Sequence, residues 1–361
     1  MRVLLCGGGS AGHVNPALAI GETIIRNSPE SKVAYVASVS GIENDLVPYK
    51  KYHIEVAGIK KDILGSIKSI YLAIKAIKQS KEIIKDFCPD IIIGTGGYVT
   101  YPVICAGSQM KIPTAVHESN IVPGKAIKLL ENKADLIFTN FKESEKYFKR
   151  KEKVLNVGNP LRKGFSTQEK GYLKKREGIN EEQVILCYGG SLGAEKINEV
   201  AIEIIENYIR FQKDIRFILA TGKRNYYDVC EKLKKKRLDK LKNVDVYEYL
   251  YDIDVKMAIA DIIICRAGAM TISELSALKK ASILIPSPNV ANNHQVKNAM
   301  ALGNSSAAKV ITEDKLYMLI DVLRELLSNE EERKNMERAI SKLYKPNANK
   351  AIYKKIVELS L

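Results

Sequence analysis

His13 follows the run Gly7-Gly8-Gly9-Ser10-Ala11-Gly12 directly, so an imidazole stands where a glycine turn hands over to a helix. An imidazole at such a place can take a proton from a hydroxyl nucleophile. The glycines let the backbone turn sharply and approach a ligand, and a helix N-terminus behind them attracts anions. Two further glycine turns, Gly94-Thr95-Gly96-Gly97-Tyr98 and Gly189-Gly190-Ser191-Leu192-Gly193, offer more backbone N–H groups to a phosphate. Glu274 lies one helical turn after Met270 in Arg266-Ala267-Gly268-Ala269-Met270-Thr271-Ile272-Ser273-Glu274, where its carboxylate could reach vicinal ribose hydroxyls. A plain acid in a helix's first turns, favoured by the dipole, is the alternative. Asn292-Asn293-His294-Gln295 puts amides and an imidazole, groups that recognise sugar hydroxyls, into one loop. His117 ends a strand and fits packing and ligand contact about equally.

These residues need strands and helices to hold them. Val3-Leu4-Leu5-Cys6-Gly7-Gly8-Gly9-Ser10-Ala11-Gly12 returns as Val184-Ile185-Leu186-Cys187-Tyr188-Gly189-Gly190-Ser191-Leu192-Gly193, 181 residues later. Each copy is a short apolar run, a glycine turn and a helical pattern, as expected of a strand buried on both faces of a parallel sheet. Strands are expected at 2–6, 33–37, 90–93, 114–116, 135–139 and 153–157, then at 184–188, 215–220, 244–248, 261–265 and 282–285. The first helix is expected to begin near Pro16. The alternation implies an α/β chain of two doubly wound domains facing a cleft, with ligands at the carboxyl ends of the strands. The domains meet near Gly158-Asn159-Pro160-Leu161-Arg162-Lys163-Gly164. That gives 1–161 and 162–346, with a last helix at 347–361 crossing back onto the first domain.

Composition narrows the partners. The 57 basic and 42 acidic residues leave a net charge of +15, which favours anionic partners. The run Lys234-Lys235-Lys236-Arg237 has no aromatic residues among its cations, so nucleic acid is not expected. The six scattered cysteines form no CxxC pair, which fits a reduced cytosolic compartment and speaks against a disulfide framework or structural zinc. No stretch reaches the roughly 18 apolar residues of a membrane span. In 60–86, Ile63, Leu64, Ile67, Ile70, Tyr71, Ile74 and Ile77 recur at helical spacing among Lys60, Lys61, Lys68, Lys75 and Lys78. That is either a surface helix packed on the core or a basic amphipathic segment on an anionic membrane. A nicotinamide enzyme is disfavoured, because Glu43 and Asp45 come too late after the second strand to hold a ribose. Asp252-Ile253-Asp254 spells a metal-binding D-x-D, but its flanks are not those of such sites; no metal and no cofactor are implied.

Taken in order, Gly7-Gly8-Gly9-Ser10-Ala11-Gly12-His13-Val14-Asn15-Pro16, Gly94-Thr95-Gly96-Gly97-Tyr98-Val99, His117-Glu118-Ser119-Asn120, Gly158-Asn159-Pro160-Leu161-Arg162, Gly189-Gly190-Ser191, 266–274 and Asn293-His294-Gln295 resemble the motifs of the MurG family over nearly the whole chain. The resemblance implies a GT-B fold and an inverting transfer of N-acetylglucosamine from UDP-N-acetylglucosamine to undecaprenyl-diphosphate–N-acetylmuramoyl-pentapeptide (lipid I). It makes His13 the candidate base. It places Ser10, Ala11, Gly12, Asn120, Arg162, Ser191, Leu192, Gly193, Leu250, Ala269, Met270, Glu274, His294 and Gln295 around the donor. Gly9, Gly96, Gly97 and Tyr98 would lie near the acceptor diphosphate. It turns Lys60, Lys61, Ile63, Leu64, Ile67, Ile70 and Tyr71 into a membrane contact, and so implies a peripheral enzyme on the cytoplasmic face of the cell membrane, with other wall-synthesis proteins as further partners. The chain departs from the family at Ser10-Ala11 for threonine-glycine, at Ser119 and Leu192 for glutamine, and at Lys279-Lys280-Ala281 for glycine-lysine-proline. The rival readings are a paralogous glycosyltransferase with another sugar nucleotide or lipid, and a sugar-nucleotide-binding scaffold of the wall machinery.

Overall fold

A computed structural model describes residues 1–56, 63–165, 169–190, 193–290 and 293–361, with the backbone alone for 63–70. The chain divides into two units, Met1–Arg162 with Lys345–Leu361, and Lys163–Tyr344.

The first unit has seven parallel strands: β1 (Arg2–Cys6), β2 (Lys32–Ser38), β3 (Lys50–Ile54), β4 (Ile91–Gly94), β5 (Thr114–Glu118), β6 (Leu136–Thr139) and β7 (Val154–Asn156). Their order in the sheet is β3-β2-β1-β4-β5-β6-β7, so the winding reverses between β1 and β4. The helices are α1 (Ala11–Asn27), α2 (Glu43–Leu46), α3 (Ile63–Phe87), α4 (Thr100–Gln109) and α5 (Lys125–Leu130). β1 is apolar on both faces because both are covered: Val3 and Leu5 pack with Val14, Ala17 and Ile24 of α1, Leu4 and Cys6 with Val103 and Ile104 of α4. The strand at β3 departs from expectation, since Lys50-Lys51-Tyr52-His53 carries no apolar signal. It pairs only with β2, and a sheet edge tolerates and even favours lysines.

The second unit repeats the design. It opens with α6 (Lys170–Arg176) and forms β8 (Gln183–Tyr188), β9 (Ile215–Ala220), β10 (Val244–Tyr247), β11 (Ile262–Cys265), β12 (Ala281–Leu284) and β13 (Lys309–Val310). The order β10-β9-β8-β11-β12-β13 matches the first sheet over six strands, with its reversal between β8 and β11. Around it stand α7 (Glu195–Asn207), α8 (Tyr226–Lys235), α9 (Ile253–Ile259), α10 (Ala269–Leu278), α11 (His294–Asn304), α12 (Leu319–Ser328) and α13 (Glu330–Ser341). β13 is too short, at two residues, to have been read from periodicity.

The last helix, α14 (Ala348–Ser360), belongs to the first unit. Ile352 and Ile356 are buried with Ile20 and Ile24 of α1. Asn349 fastens it by accepting from Leu161 N (3.0 Å) and donating to Leu161 O (2.9 Å) and Thr23 Oγ1 (2.8 Å). Among the described residues no helix is long and apolar enough to cross a membrane.

Candidate active site

In an open parallel sheet the loops on either side of the reversal splay apart and leave a crevice at the strands' carboxyl ends. In the first unit those loops are 7–10 after β1 and 95–99 after β4, and they are stitched together. Gly8 N donates to Gly96 O (3.3 Å), Thr95 N to Cys6 O (2.9 Å), and Thr95 Oγ1 to His13 O (2.6 Å). Tyr35 adds a fourth tie, its buried hydroxyl donating to Gly7 O (2.8 Å). Two glycines are required by space: a Cβ on Gly97 would fall 2.0 Å from Gly8 O, and one on Gly96 would fall 2.5 Å from His13 Nδ1.

His13 lies in the first turn of α1, which begins at Ala11 and not near Pro16 as expected; Ser10 O accepts from both His13 N and Val14 N. Pro16 is the sixth residue of α1, so it lies inside the helix and leaves Gly12 O without the usual N–H donor four residues on. His13 Nδ1 is 3.2 Å from Thr95 O. A carbonyl only accepts, so Nδ1 carries the proton and the ring lone pair is on Nε2. The backbone thus sets the tautomer that a base needs. Ala11 sits at the first helical position, so the methyl that replaces a family glycine meets no left-handed backbone; only Gly9 in this loop has positive φ (86°).

Further along the same edge, Glu118 is buried at the end of β5. Its Oε1 accepts from Asn120 N (2.8 Å) and Nδ2 (3.1 Å), and its Oε2 from Gly124 N (2.8 Å). Burial raises this carboxyl, and the bonds partly offset that. Asn120 is therefore aimed by its neighbour, a role visible only in three dimensions. His117 is fully buried, donates from Nε2 to Gly158 O (3.0 Å), and is pushed down to about 4 by burial. Packing explains it. Arg162 Nε pairs with Glu22 Oε1 of α1 at 3.0 Å.

In the second unit the corresponding loops are Gly189–Gly193 after β8 and Arg266–Gly268 after β11. Gly193 has positive φ (78°), and a Cβ there would fall 2.2 Å from Thr221 O. Ser191 and Leu192 lie outside the described residues, as do Lys60 and Lys61 and the side chains of Ile63, Leu64, Ile67 and Ile70. Gly268 caps α10, whose first residues Ala269 and Met270 are buried, and Glu274 follows a turn later, 7% exposed. Glu274 is close enough to Tyr188 at the end of β8 for its charge to help raise that phenol. Leu250 is buried just after β10. Asn293, in the left-handed region (φ 49°), opens α11 ahead of His294, and Gln295 Oε1 accepts from Ser287 N (2.8 Å). Every described residue of this unit that the sequence places around a donor thus follows a strand's carboxyl end. Asp252 is used locally, pairing with Lys256 at 3.5 Å; among the described residues no three His, Cys, Asp or Glu side chains gather as a metal would require. Burial pushes the Cys6 and Cys187 thiols up to about 12, so they act as small hydrophobes.

Two such units, each with a glycine turn at its reversal, define a GT-B fold. Residues 3–139 match the glycosyltransferase family 28 N-terminal domain, and residues 184–352 match its C-terminal domain. The chain is 39% identical, over all of both chains, to the UDP-N-acetylglucosamine--N-acetylmuramyl-(pentapeptide) pyrophosphoryl-undecaprenol N-acetylglucosamine transferase of Thermoanaerobacter sp. (strain X514). The crystal structure of Acinetobacter baumannii MurG shares its fold, with a TM-score of 0.72 and 24% identity, covering 99% of each chain. So does a UDP-GlcNAc 2-epimerase from Neisseria meningitidis bound to UDP-GlcNAc (TM-score 0.69, 17% identity, 99% of this chain and 100% of the other), so the fold alone does not choose the reaction. The full-length identity does: this chain belongs to the MurG family of N-acetylglucosamine transferases.

Proposed function

We propose that this chain transfers N-acetylglucosamine from UDP-N-acetylglucosamine to the 4-hydroxyl of the muramoyl sugar of lipid I, with inversion and no covalent intermediate. The observation that carries the mechanism is the His13 Nδ1 contact to Thr95 O, which leaves Nε2 as the proton acceptor. The acceptor oxygen attacks the anomeric carbon, the bond from that carbon to the diphosphate breaks, UDP leaves, and the hydroxyl proton passes to His13 Nε2. In the second unit, Glu274 holds the ribose, Leu250 lies beside the uracil, and the N–H groups at the start of α10 meet the leaving diphosphate.

The test is UDP release from UDP-N-acetylglucosamine with and without a short-chain lipid I analogue. Release that requires the analogue, with Glu274→Ala raising the donor KM, is the expected result. Release without it, or a Glu274→Ala enzyme that loses kcat at unchanged donor KM, would overturn the assignment.

The membrane reading is part of the same proposal. Tyr71 (66% exposed) and Ile74 (64% exposed) stand out from α3 beside Lys75 and Lys78, as an interfacial helix requires. On this reading the enzyme works on the cytoplasmic leaflet, where its lipid acceptor is anchored. Sedimentation with phosphatidylglycerol vesicles, lost in a Tyr71→Ser/Ile74→Ser double variant, checks it; equal binding to neutral vesicles would point elsewhere.

A further inference from the structure

We infer that Glu43 is a positioning residue for the first glycine loop and, through that loop, for His13. Glu43 falls after β2 at a place unsuited to holding a ribose, and its carboxylate points inward. It is fully buried at the start of α2. Oε1 accepts from Ser38 N (2.9 Å) and Ser38 Oγ (2.6 Å), and Oε2 lies 3.4 Å from Gly9 N. All three partners are donors, and only an acceptor-only group can serve them together; a glutamine would turn an N–H toward one of them. The surrounding glycines make room for it, since a Cβ on Gly8 would fall 2.8 Å, and one on Gly41 2.1 Å, from Oε1.

The contact changes what Gly9 does. Its N–H faces Glu43 within the fold, so the loop offers an acceptor diphosphate its other groups and not this one. Gly9 is also four residues from His13, at the head of the turn that leads into α1. Releasing Gly9 shifts the turn that launches α1, and a misplacement of the order of 1 Å costs about 100-fold in a positioned reaction.

The first measurement is amide exchange at Gly9 in the unmodified full-length chain. Protection of this N–H, although the residue itself is exposed to solvent, is expected; exchange at the rate of a free loop overturns the clamp. The second compares Glu43→Gln with Ser38→Ala, which removes a bond to the same carboxylate but leaves the Gly9 contact. Glu43→Gln should lower kcat roughly 10–100-fold at unchanged donor KM, and Ser38→Ala should leave kcat alone while lowering the melting temperature. Equal kcat in the two variants makes Glu43 merely structural and overturns the proposal. The kinetic arm rests on the transferase reading. An unmodified enzyme inactive toward the lipid I analogue would refute that reading, while the exchange result would still decide the clamp.

Discussion

The two glycine loops share a sequence and a place in their sheets, yet they are held in different ways. The first is tied by side chains from three other elements: the Tyr35 hydroxyl on Gly7 O, the Glu43 carboxylate at Gly9 N, and the Thr95 hydroxyl on His13 O. In the second, among the described residues, Gly193 N donates within the turn to Gly190 O (2.9 Å), and Gly193 fits closely against Thr221. A loop that carries a base must fix an angle, because proton transfer fails when the lone pair is misdirected. A loop that greets a diphosphate needs only to present N–H groups along one side. On the proposed mechanism the same strand-turn-helix serves as a mount in one unit and as a cradle in the other.

The comparison can be broken at its ends. His13→Ala should cut kcat by ~10²–10⁴-fold with donor KM little changed, measured by UDP release; unchanged kcat would take the mount's purpose away. Gly97→Ala should destabilise the first unit by about 2–4 kcal/mol in urea unfolding, because its methyl would meet the Gly8 carbonyl and its φ is 79°. Gly190→Ala, with positive φ but nothing within 4 Å of the new methyl, should cost only about 1 kcal/mol. Similar costs at both positions would mean that the loops are equally constrained.

Acidity should also separate the units. His117 titrates at about 4 in the fold against an ordinary 6.5. Below pH 6.5 the unfolded chain therefore binds a proton that the folded chain refuses. Stability present above that pH is lost as pH falls toward 4, by about 3 kcal/mol in all. Unfolding of the unmodified chain followed from pH 7 to 4.5 should show this slope, and His117→Gln should flatten it. In the second unit burial brings Lys280 down to about 7, so stability there also rises with pH, but in a separate and higher window, from pH 7 toward 10.5. The smallest effect is expected at Lys279, which ends α10 in the left-handed region (φ 53°) where the family has glycine. Lys279→Gly should raise stability by about 0.5–1 kcal/mol, read as a rise in melting temperature; a fall would show that the lysine's charge at the helix end outweighs its backbone cost.

Much of this was legible in the chain. The buried strands β1, β4, β8 and β11 are continuous apolar runs followed by turn residues. Their doubled pattern gave the two sheets, and the motifs after them gave His13 and Glu274. What stayed hidden depends on tertiary contact. Lys50-Lys51-Tyr52-His53 becomes a strand because an edge needs only one partner. The helix at Ala11 starts ahead of Pro16 because its first turn closes on the glycine loop, with His13 N and Val14 N donating to Ser10 O. Glu43 looked misplaced for a ribose because nothing local reveals that the chain folds it back onto Gly9. Nor does the order of residues show that Glu118 aims Asn120, or that Gln295 holds Ser287.

The location of α14 has a consequence for how the protein is made. The first unit is closed by residues 345–361, so a ribosome finishes the whole of Lys163–Tyr344 before the first unit has its full set of parts. The stretch that begins the chain is thus the later of the two to be complete, and the uninterrupted second unit can fold first, against the usual order of synthesis. Until Ile352 and Ile356 arrive, the part of α1 around Ile20 and Ile24 that they cover is open on the nascent chain, a surface for chaperones to recognise. A message truncated near codon 345 would leave a sound second unit joined to a first one that cannot close, and quality control would see the defect at the end opposite the stop.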